Sequence, residues 1–245
     1  MSEQKTYQVW EKAEVSQYFL GGVRGAIPFA TEQIEMILRL IELTQSNVDK
    51  FLDLGCGNGV LGNAIYQKFP QAKGTFLDLS ETMITSAKEN LTEQKQSHFI
   101  VADFGKKSWL DLINQEENFE VIVSGFAIHH QPDERKQEIY QEIYQLLKPG
   151  GLFLNLEHVA SYSNLGEKGF DSLFIDSLYA FHQQQESSLS RQEIAEQYYY
   201  RADKQANILT LVETQCQWLR ESGFIEVDCF LKILELAIFG GIRPH

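Results

Sequence analysis

Three acidic residues, each at or just past the end of an apolar run, are the groups in this chain best placed to do chemistry. Residues 51–62 read FLDLGCGNGVLG: the first run ends in Asp53, Gly55, Gly57 and Gly59 follow at alternate positions, and a helix-like pattern starts at Val60. Glycines in such a place permit a sharp turn and let a ligand reach main-chain N–H groups that a Cβ would shield. Asp78 closes a second apolar run about 20 residues further on, and Asp103 follows a third. Residues 57–62 satisfy the G-x-G-x-x-G of dinucleotide binding, and that pattern alone leaves a nicotinamide dinucleotide and S-adenosylmethionine (SAM) both open. Asp53 favours the second, because a carboxylate beside a pyrophosphate dianion is repelled. It suits a ligand with no phosphate and a positive charge; SAM carries a sulfonium and an α-ammonium beside its adenosine.

A second group of residues has acid–base character. His129, His130, Glu157 and His158 fall at the expected carboxyl ends of two later strands, where a general base would stand if the acceptor carried a proton to be removed. Glu157 and His158 are neighbours on one strand and face opposite ways, so no metal site is predicted from them. Cys56, Cys216 and Cys229 are odd in number and lack C-x-x-C spacing, which argues against a disulfide frame or a zinc site. Cys56 reads as a small loop residue rather than a nucleophile.

The elements that must position these groups follow from periodicity. Strands are expected at residues 51–53, 75–79, 99–102, 119–124 and 152–157, with helices from Val60, after Ser80 and after Pro132 between them. Thr31 is the expected N-cap of an earlier helix with an Ile34, Ile37, Leu38, Ile41 stripe. A last long helix is expected to carry Ile208, Leu211, Val212, Cys216 and Leu219, followed by strands at 225–231 and 234–239. Residues 158–205 leave the strand–helix rhythm and are rich in Ser, Gln and aromatics.

Composition bounds the partners. A chain of 245 residues is long enough for one α/β domain with a sizeable core. Its net charge of −13 repels phosphate backbones and no Lys/Arg cluster offsets it, which makes nucleic acid an unlikely partner and a small molecule the expected one. There is no run of about 18 apolar residues and no charged-then-apolar start, so no membrane span is expected and cytoplasmic residence is the default. No oligomeric state is read from the sequence.

These stretches carry a family resemblance. FLDLGCGNG resembles motif I of class I SAM-dependent methyltransferases, and GTFLDLS (residues 74–80) is similar to their second strand. VADF (101–104), FEVIVSGFAIHH (119–130) and LLKPGG (146–151) resemble the family's later motifs and stand in its order. The resemblance implies an α/β fold: a Rossmann-like, seven-stranded, mostly parallel sheet with a terminal antiparallel hairpin. It further implies one domain over residues 1–245, with a helical N-terminal cap segment (1–45) and a lid insertion after strand five (158–205).

By the same resemblance SAM is the cofactor and S-adenosylhomocysteine (SAH) the product. Asp53, Gly55, Cys56, Gly57 and Asn58 would line the methionine moiety, and Asp78 would hold the ribose hydroxyls. Leu79 and Met83 would cover the adenine, Asp103 and Phe104 would meet its amino group and edge, and Ser124 and Gly125 would close the cofactor from strand four. His129 and His130 are the catalytic candidates. Tyr18, Arg24, Glu157, His158, Tyr199 and Arg201 are the substrate candidates.

VSQYFLGGVRGAIP near the start and VETQCQWLRESGF near the end are similar to the carboxy-SAM synthase branch of tRNA wobble-uridine modification. That branch needs an Arg shortly before the second segment, where residues 207–210 here read NILT. The departure favours ordinary methyl transfer to a small molecule. A carboxy-SAM synthase-like enzyme, a dinucleotide-binding oxidoreductase and a non-catalytic SAM-fold protein are the alternatives.

Overall fold

Successive residues of the first strand point into two different apolar environments, and that alternation sets the architecture. Leu52 and Leu54 pack with Leu77, Ile122 and Phe153, whereas Phe51 packs with Phe76, Val121 and Leu154. A sheet buried in this way on both faces needs helices on both sides. The computed structural model describes residues 6–20, 24–113, 118–201, 204 and 206–245, without the side chains of Thr6 and Arg24.

Strands β1 (Lys50–Leu54), β2 (Lys73–Asp78), β3 (Ser97–Val101), β4 (Phe119–Gly125), β5 (Leu147–His158), β6 (Ile225–Ile233) and β7 (Leu236–Ile242) form one seven-stranded sheet. The order is β3-β2-β1-β4-β5-β7-β6. The first five strands are parallel, and β7 runs antiparallel to both β5 and β6. Strand order reverses between β1 and β4, where Leu54 lies beside Ser124. Such a reversal opens a crevice at the carboxyl ends of the strands, the usual ligand position in open α/β sheets.

Helices α1 (Ala13–Tyr18), α2 (Ala30–Thr44), α3 (Val60–Lys68) and α4 (Glu81–Asn90) precede the crevice strand β4, and α5 (Asp133–Leu146), α6 (Asn164–Gln184), α7 (Arg191–Tyr200) and α8 (Val212–Glu221) follow it. Ile37 and Ile41 of α2 and Ile65 of α3 fill the Phe51 side. Ile139 and Ile143 of α5, with Cys216 and Leu219 of α8, fill the Leu52 side. A third cluster joins Phe170, Phe174 and Ile175 of α6 to Ile194 and Tyr198 of α7 and to Ala26. The stretch after strand five is therefore a packed helix pair. No helix among the described residues is long and apolar enough to cross a membrane.

Several boundaries differ from the sequence reading. The N-cap of α2 is Phe29 in a left-handed conformation, not Thr31, which already lies inside the helix. Strand β5 begins at Leu147 rather than at the expected residue 152, and runs through residues 148–151, where Gly150 N–H bonds to the Arg243 carbonyl. The last helix starts only at Val212. Residues 207–211 lie outside it: Ile208 N–H bonds to the His129 carbonyl at 2.9 Å, and Thr210 accepts from Ala160 N–H at 3.1 Å. Fully buried Lys136 fastens this strap, donating to the Ile208 carbonyl, to Thr210 Oγ1 (2.6 Å) and to Asp133 (2.8 Å).

Candidate active site

The chain leaves β1 through Gly55 (φ +68°), Gly57 (+53°) and Gly59 (+78°), a conformation that favours glycine. Gly55 N–H and Cys56 N–H both bond to the Leu77 carbonyl, which ties the loop to the end of β2. A Cβ on Gly55 would lie 2.3 Å from Ala127 Cβ, so packing as well as φ excludes a side chain there. A Cβ on Gly57 would meet nothing within 4 Å, because it would project into open cavity. The loop is held from two sides by carboxylates. Asp53 accepts from Gly62 N–H at 2.9 Å in the first turn of α3, where the helix dipole favours negative charge. Asp78 accepts from Gly57 N–H (2.8 Å) and Ser80 N–H (2.9 Å).

These residues form one wall of an open-mouthed cavity of about 790 Å³, its mouth included. Asp53, Gly55, Cys56, Gly57, Asn58 and Asp78 line it, as do Leu79, Met83, Asp103, Phe104 and Gly125. Burial raises the Asp78 pKa despite its backbone donors. Burial, then Asp78 and Asp53, push the Cys56 thiol well up, so it is no nucleophile. Ser124 departs from its expected place at the cofactor: it is fully buried and its hydroxyl donates to the Leu54 carbonyl at 2.8 Å. That bond seals the β1–β4 junction behind the cavity.

The far rim is braced from below. Arg135 donates from Nε and Nη2 to the Phe104 carbonyl (3.1 and 2.7 Å) and holds Glu142, which also accepts from the Trp109 indole. Asp103 accepts from Gly105 N–H at 2.9 Å and from the Tyr7 hydroxyl at 3.3 Å. Burial and Asp103 push the Tyr7 pKa up to about 12. Gln131, which the sequence reading missed, also lines this cavity, and its Oε1 is a buried acceptor with no hydrogen bond among the described residues.

The N-terminal segment closes the front. Ser16 Oγ lies 2.8 Å from the Ser80 Oγ that caps α4, and the Trp10 indole donates to His130 Nε2 at 3.0 Å. An indole only donates, so His130 Nε2 is unprotonated and Nδ1 carries the hydrogen toward the Ala206 carbonyl at 3.3 Å. Burial drives the His130 pKa well down. Its expected catalytic role is thereby displaced, since both nitrogens are engaged in holding Trp10 and residue 206.

Trp10, Phe19, Phe126 and His130 are shared with a second cavity of about 540 Å³. Phe126 carries φ +54°, a strained conformation that turns the chain between the two spaces. On its floor, His129 Nδ1 lies 2.5 Å from Glu157 Oε1, and His129 N–H donates to Glu157 Oε2. Asn207, carried in by the strap, is a further partner of the His129 ring and lies 3.3 Å from His158 Nδ1. His158 Nε2 is 2.8 Å from Glu235. Burial, then His158 and Lys136, drive the His129 pKa well down, while burial pushes Glu157 up to about 7.

The substrate candidates divide. His158 and Arg201 line the second cavity. Glu157 does not: it is fully buried beneath His129 and holds that ring. Tyr18 and Tyr199 are each 49% exposed and stand outside the lining. Their places are taken by Phe19 and Tyr198, one residue away, because helix phase turns the neighbour inward. The Arg24 side chain lies outside the described residues. Among the described residues, no group of three or more His, Cys, Asp and Glu has the arrangement of a metal site.

The first cavity discriminates between the cofactors considered above. Asp53, Asp78 and Asp103 line it and no lysine or arginine does among the described residues. A dinucleotide would bring its pyrophosphate against three carboxylates with no countercharge. A cationic, phosphate-free nucleoside fits: the open side of Gly57 admits it, Asp78 has acceptor capacity left for hydroxyls, and Gln131 Oε1 offers an acceptor to an amino group.

Residues 51–151 match the family described as "Methyltransferase domain". Malonyl-[acyl-carrier protein] O-methyltransferase 2 of Ilyobacter polytropus is 29% identical over 149 residues, 59% of this chain and 53% of that protein. Ribosomal RNA small subunit methyltransferase C of Pasteurella multocida is 31% identical over 153 residues, 60% of this chain and 43% of that protein. The chain thus spans about half the length of the curated relatives it matches. Human N-acetylserotonin methyltransferase in complex with SAM has the same fold, with a TM-score of 0.62 and 16% identity over 100% of this chain and 60% of that one.

Proposed function

We propose that this protein, whose residues 51–151 match the methyltransferase domain family, binds SAM in the glycine-loop cavity and methylates a small molecule held in the second cavity. The observation that carries the reading is the charge of the first cavity, three carboxylates and no cation among the described residues. When bound, SAM supplies a methyl group on a positively charged sulfur. Asp78 accepts from the ribose hydroxyls, Gln131 and Asp103 accept from the adenine amino group, and Asp53 faces the α-ammonium. Leu79 and Met83 cover the base. Trp10 and Phe19 exclude water from the junction of the two cavities, which matters because the reaction depends on holding acceptor and methyl in line near 3 Å in a closed site.

His129 is the residue placed to take a proton from the acceptor. Its Nδ1 is committed to Glu157, and burial keeps the ring neutral near pH 7. With Nδ1–H donating to Glu157, the acceptor's proton would pass to Nε2 in exchange for the ring's contact with Asn207. Glu157 and the strap residue Asn207 position the ring. Nucleic acid is disfavoured as substrate on this reading, since the chain carries a net charge of −13.

Native mass spectrometry and titration calorimetry test the proposal together. Bound SAM or SAH, with micromolar SAH affinity and none for NAD, is expected. Co-purified carboxylated SAM, or NAD bound more tightly than SAH, would overturn it.

A further inference from the structure

Two histidines of the second cavity are each backed by a buried carboxylate, and one amide lies between them. His129 Nδ1 is 2.5 Å from Glu157 Oε1, and His158 Nε2 is 2.8 Å from Glu235 Oε2. Glu157 is fully buried and Glu235 nearly so. The two imidazole rings stand 5.8 Å apart, centroid to centroid. Asn207 bonds to both of them: its Nδ2 lies 3.3 Å from His158 Nδ1, and the His129 ring is its other partner.

The supply of hydrogens gives this chain of groups a direction. A side-chain amide nitrogen only donates, so His158 Nδ1 accepts, and the ring's hydrogen stands on Nε2, where it donates to Glu235. Turning the amide over would set its oxygen against a bare Nδ1. Glu235 therefore decides, through His158, which end of Asn207 faces which ring. Burial, His158 and Lys136 lower the proton affinity of the His129 ring, and the contact with Asn207 raises it. A contact of that sign favours the protonated ring, as an oxygen acceptor does. The amide thus gives its nitrogen to His158 and its oxygen to His129. Its backbone is held on both sides: Ile208 N–H bonds to the His129 carbonyl at 2.9 Å, and the Ala206 carbonyl lies 3.3 Å from His130 Nδ1.

We propose that Asn207 is a positioning residue for the proton step of methyl transfer, and that His158 and Glu235 act through it by holding its oxygen toward His129. The inference rests on the methyltransferase reading for calling His129 the proton acceptor; the bridge itself stands on the hydrogen bonds of the two rings. As the acceptor's lone pair bonds to the methyl carbon, the carbon–sulfur pair stays on sulfur and the acceptor's proton passes to His129 Nε2. The ring then carries two hydrogens. One stays on Glu157, and the other meets Asn207 Oδ1 when the methylated product withdraws. Both bonds are charge-assisted, which holds the proton at the ring until it is lost to solvent.

The test is nitrogen NMR of the full chain carrying isotope-labelled histidine, with SAH bound, the two rings being assigned with His129→Gln and His158→Gln. Near neutral pH, His158 of the original protein should carry its hydrogen on Nε2 alone. Asn207→Asp puts an oxygen where the nitrogen was, and it should raise the proton affinity of both rings at least about tenfold, as an added neighbouring anion does. Glu235→Leu should let the His158 hydrogen onto Nδ1 and, by turning the amide, lower the proton affinity of His129. Glu235→Gln, whose amide oxygen still accepts, should keep the original pattern, a rescue that general loosening of the site would not give. A His158 hydrogen on Nδ1 in the original protein, or a response to Asn207→Asp at one ring only, overturns the inference. So does a His129 ring that ignores Glu235→Leu; should that variant fail to fold, the original protein and Asn207→Asp decide. Failure of the original protein to bind SAH refutes the cofactor assignment instead, and the ring nitrogens, read without it, still decide the bridge.

Discussion

Replacing Asp78 by alanine is the sharpest test of the acidic cavity, because this carboxylate has two separable tasks. Its two oxygens each accept one backbone N–H, from Gly57 at 2.8 Å and Ser80 at 2.9 Å. An ionised carboxylate offers about four lone-pair positions, so one remains on each oxygen for a ribose hydroxyl. A hydrogen bond to a charged group is worth about 1.5–3 kcal/mol. Two of them set a ceiling of about 6 kcal/mol, and adjoining contacts do not add fully. A loss of about 3 kcal/mol is the expected net, which is about a hundredfold in Kd. The same variant leaves Gly57 N–H and Ser80 N–H without their acceptor, costing about 1–3 kcal/mol of folding stability. Two measurements keep these apart: calorimetric titration with SAH at 25 °C, and thermal unfolding without ligand. SAH affinity within about threefold of the original, in a variant whose unfolding has shifted as expected, would show that this carboxylate does not read the ribose. The reasoning about the cavity would then fail at its centre.

Three further perturbations probe the loop, the histidine floor and the front wall. Gly55→Ala places a methyl 2.3 Å from Ala127 Cβ at φ +68° and should cost about 3 kcal/mol or more in thermal unfolding; Gly57→Ala, with φ +53° but nothing within 4 Å, should cost only the ~1–2 kcal/mol of a left-handed alanine and bind SAH at least about tenfold more weakly, and equal behaviour of the two would contradict the assignment. Glu157 is raised from 4.5 to about 7 by burial, so its contribution to stability is full below about pH 4.5 and is lost as pH rises through about 7. The stability of the original protein relative to Glu157→Gln should therefore fall across that window in fluorimetric melts at pH 5 and 8, and a constant difference would show that Glu157 is not so shifted. Trp10→Phe keeps the ring but loses the 3.0 Å bond to His130; about 1 kcal/mol of closure should appear as faster limited proteolysis near residues 6–20 and about fivefold weaker SAH binding, and unchanged cleavage would remove the latch.

The reading from sequence succeeded where structure is decided by neighbours along the chain. Alternate glycines between a strand and a helix permit the positive φ a sharp turn needs, and Gly55, Gly57 and Gly59 adopt it. Carboxylates that end apolar runs must emerge at strand ends, so Asp53 and Asp78, with Asp103 just past β3, converge once the strands are parallel. Charge pattern and motif order needed no coordinates either.

What the tertiary fold decided is phase, register and long-range closure. Near position 199, periodicity gives a helix but not which of Tyr198 and Tyr199 turns inward; packing on Phe174 chose Tyr198. On strand β5 the alternation of Glu157 and His158 was legible, yet only the arrival of His129 across β4 made Glu157 its buried partner. Ser124 was one register position from the cavity, and its bond to Leu54 committed it to the sheet. Gln131, Trp10 and Asn207 carry no motif. They reach the site because a 3-10 turn, an N-terminal segment and a strap fastened by Lys136 fold onto it from distant parts of the chain. Local sequence fixes dihedral preferences and strand-end chemistry, whereas contacts across a hundred residues depend on which apolar faces bury each other, and that is settled only when the whole chain packs.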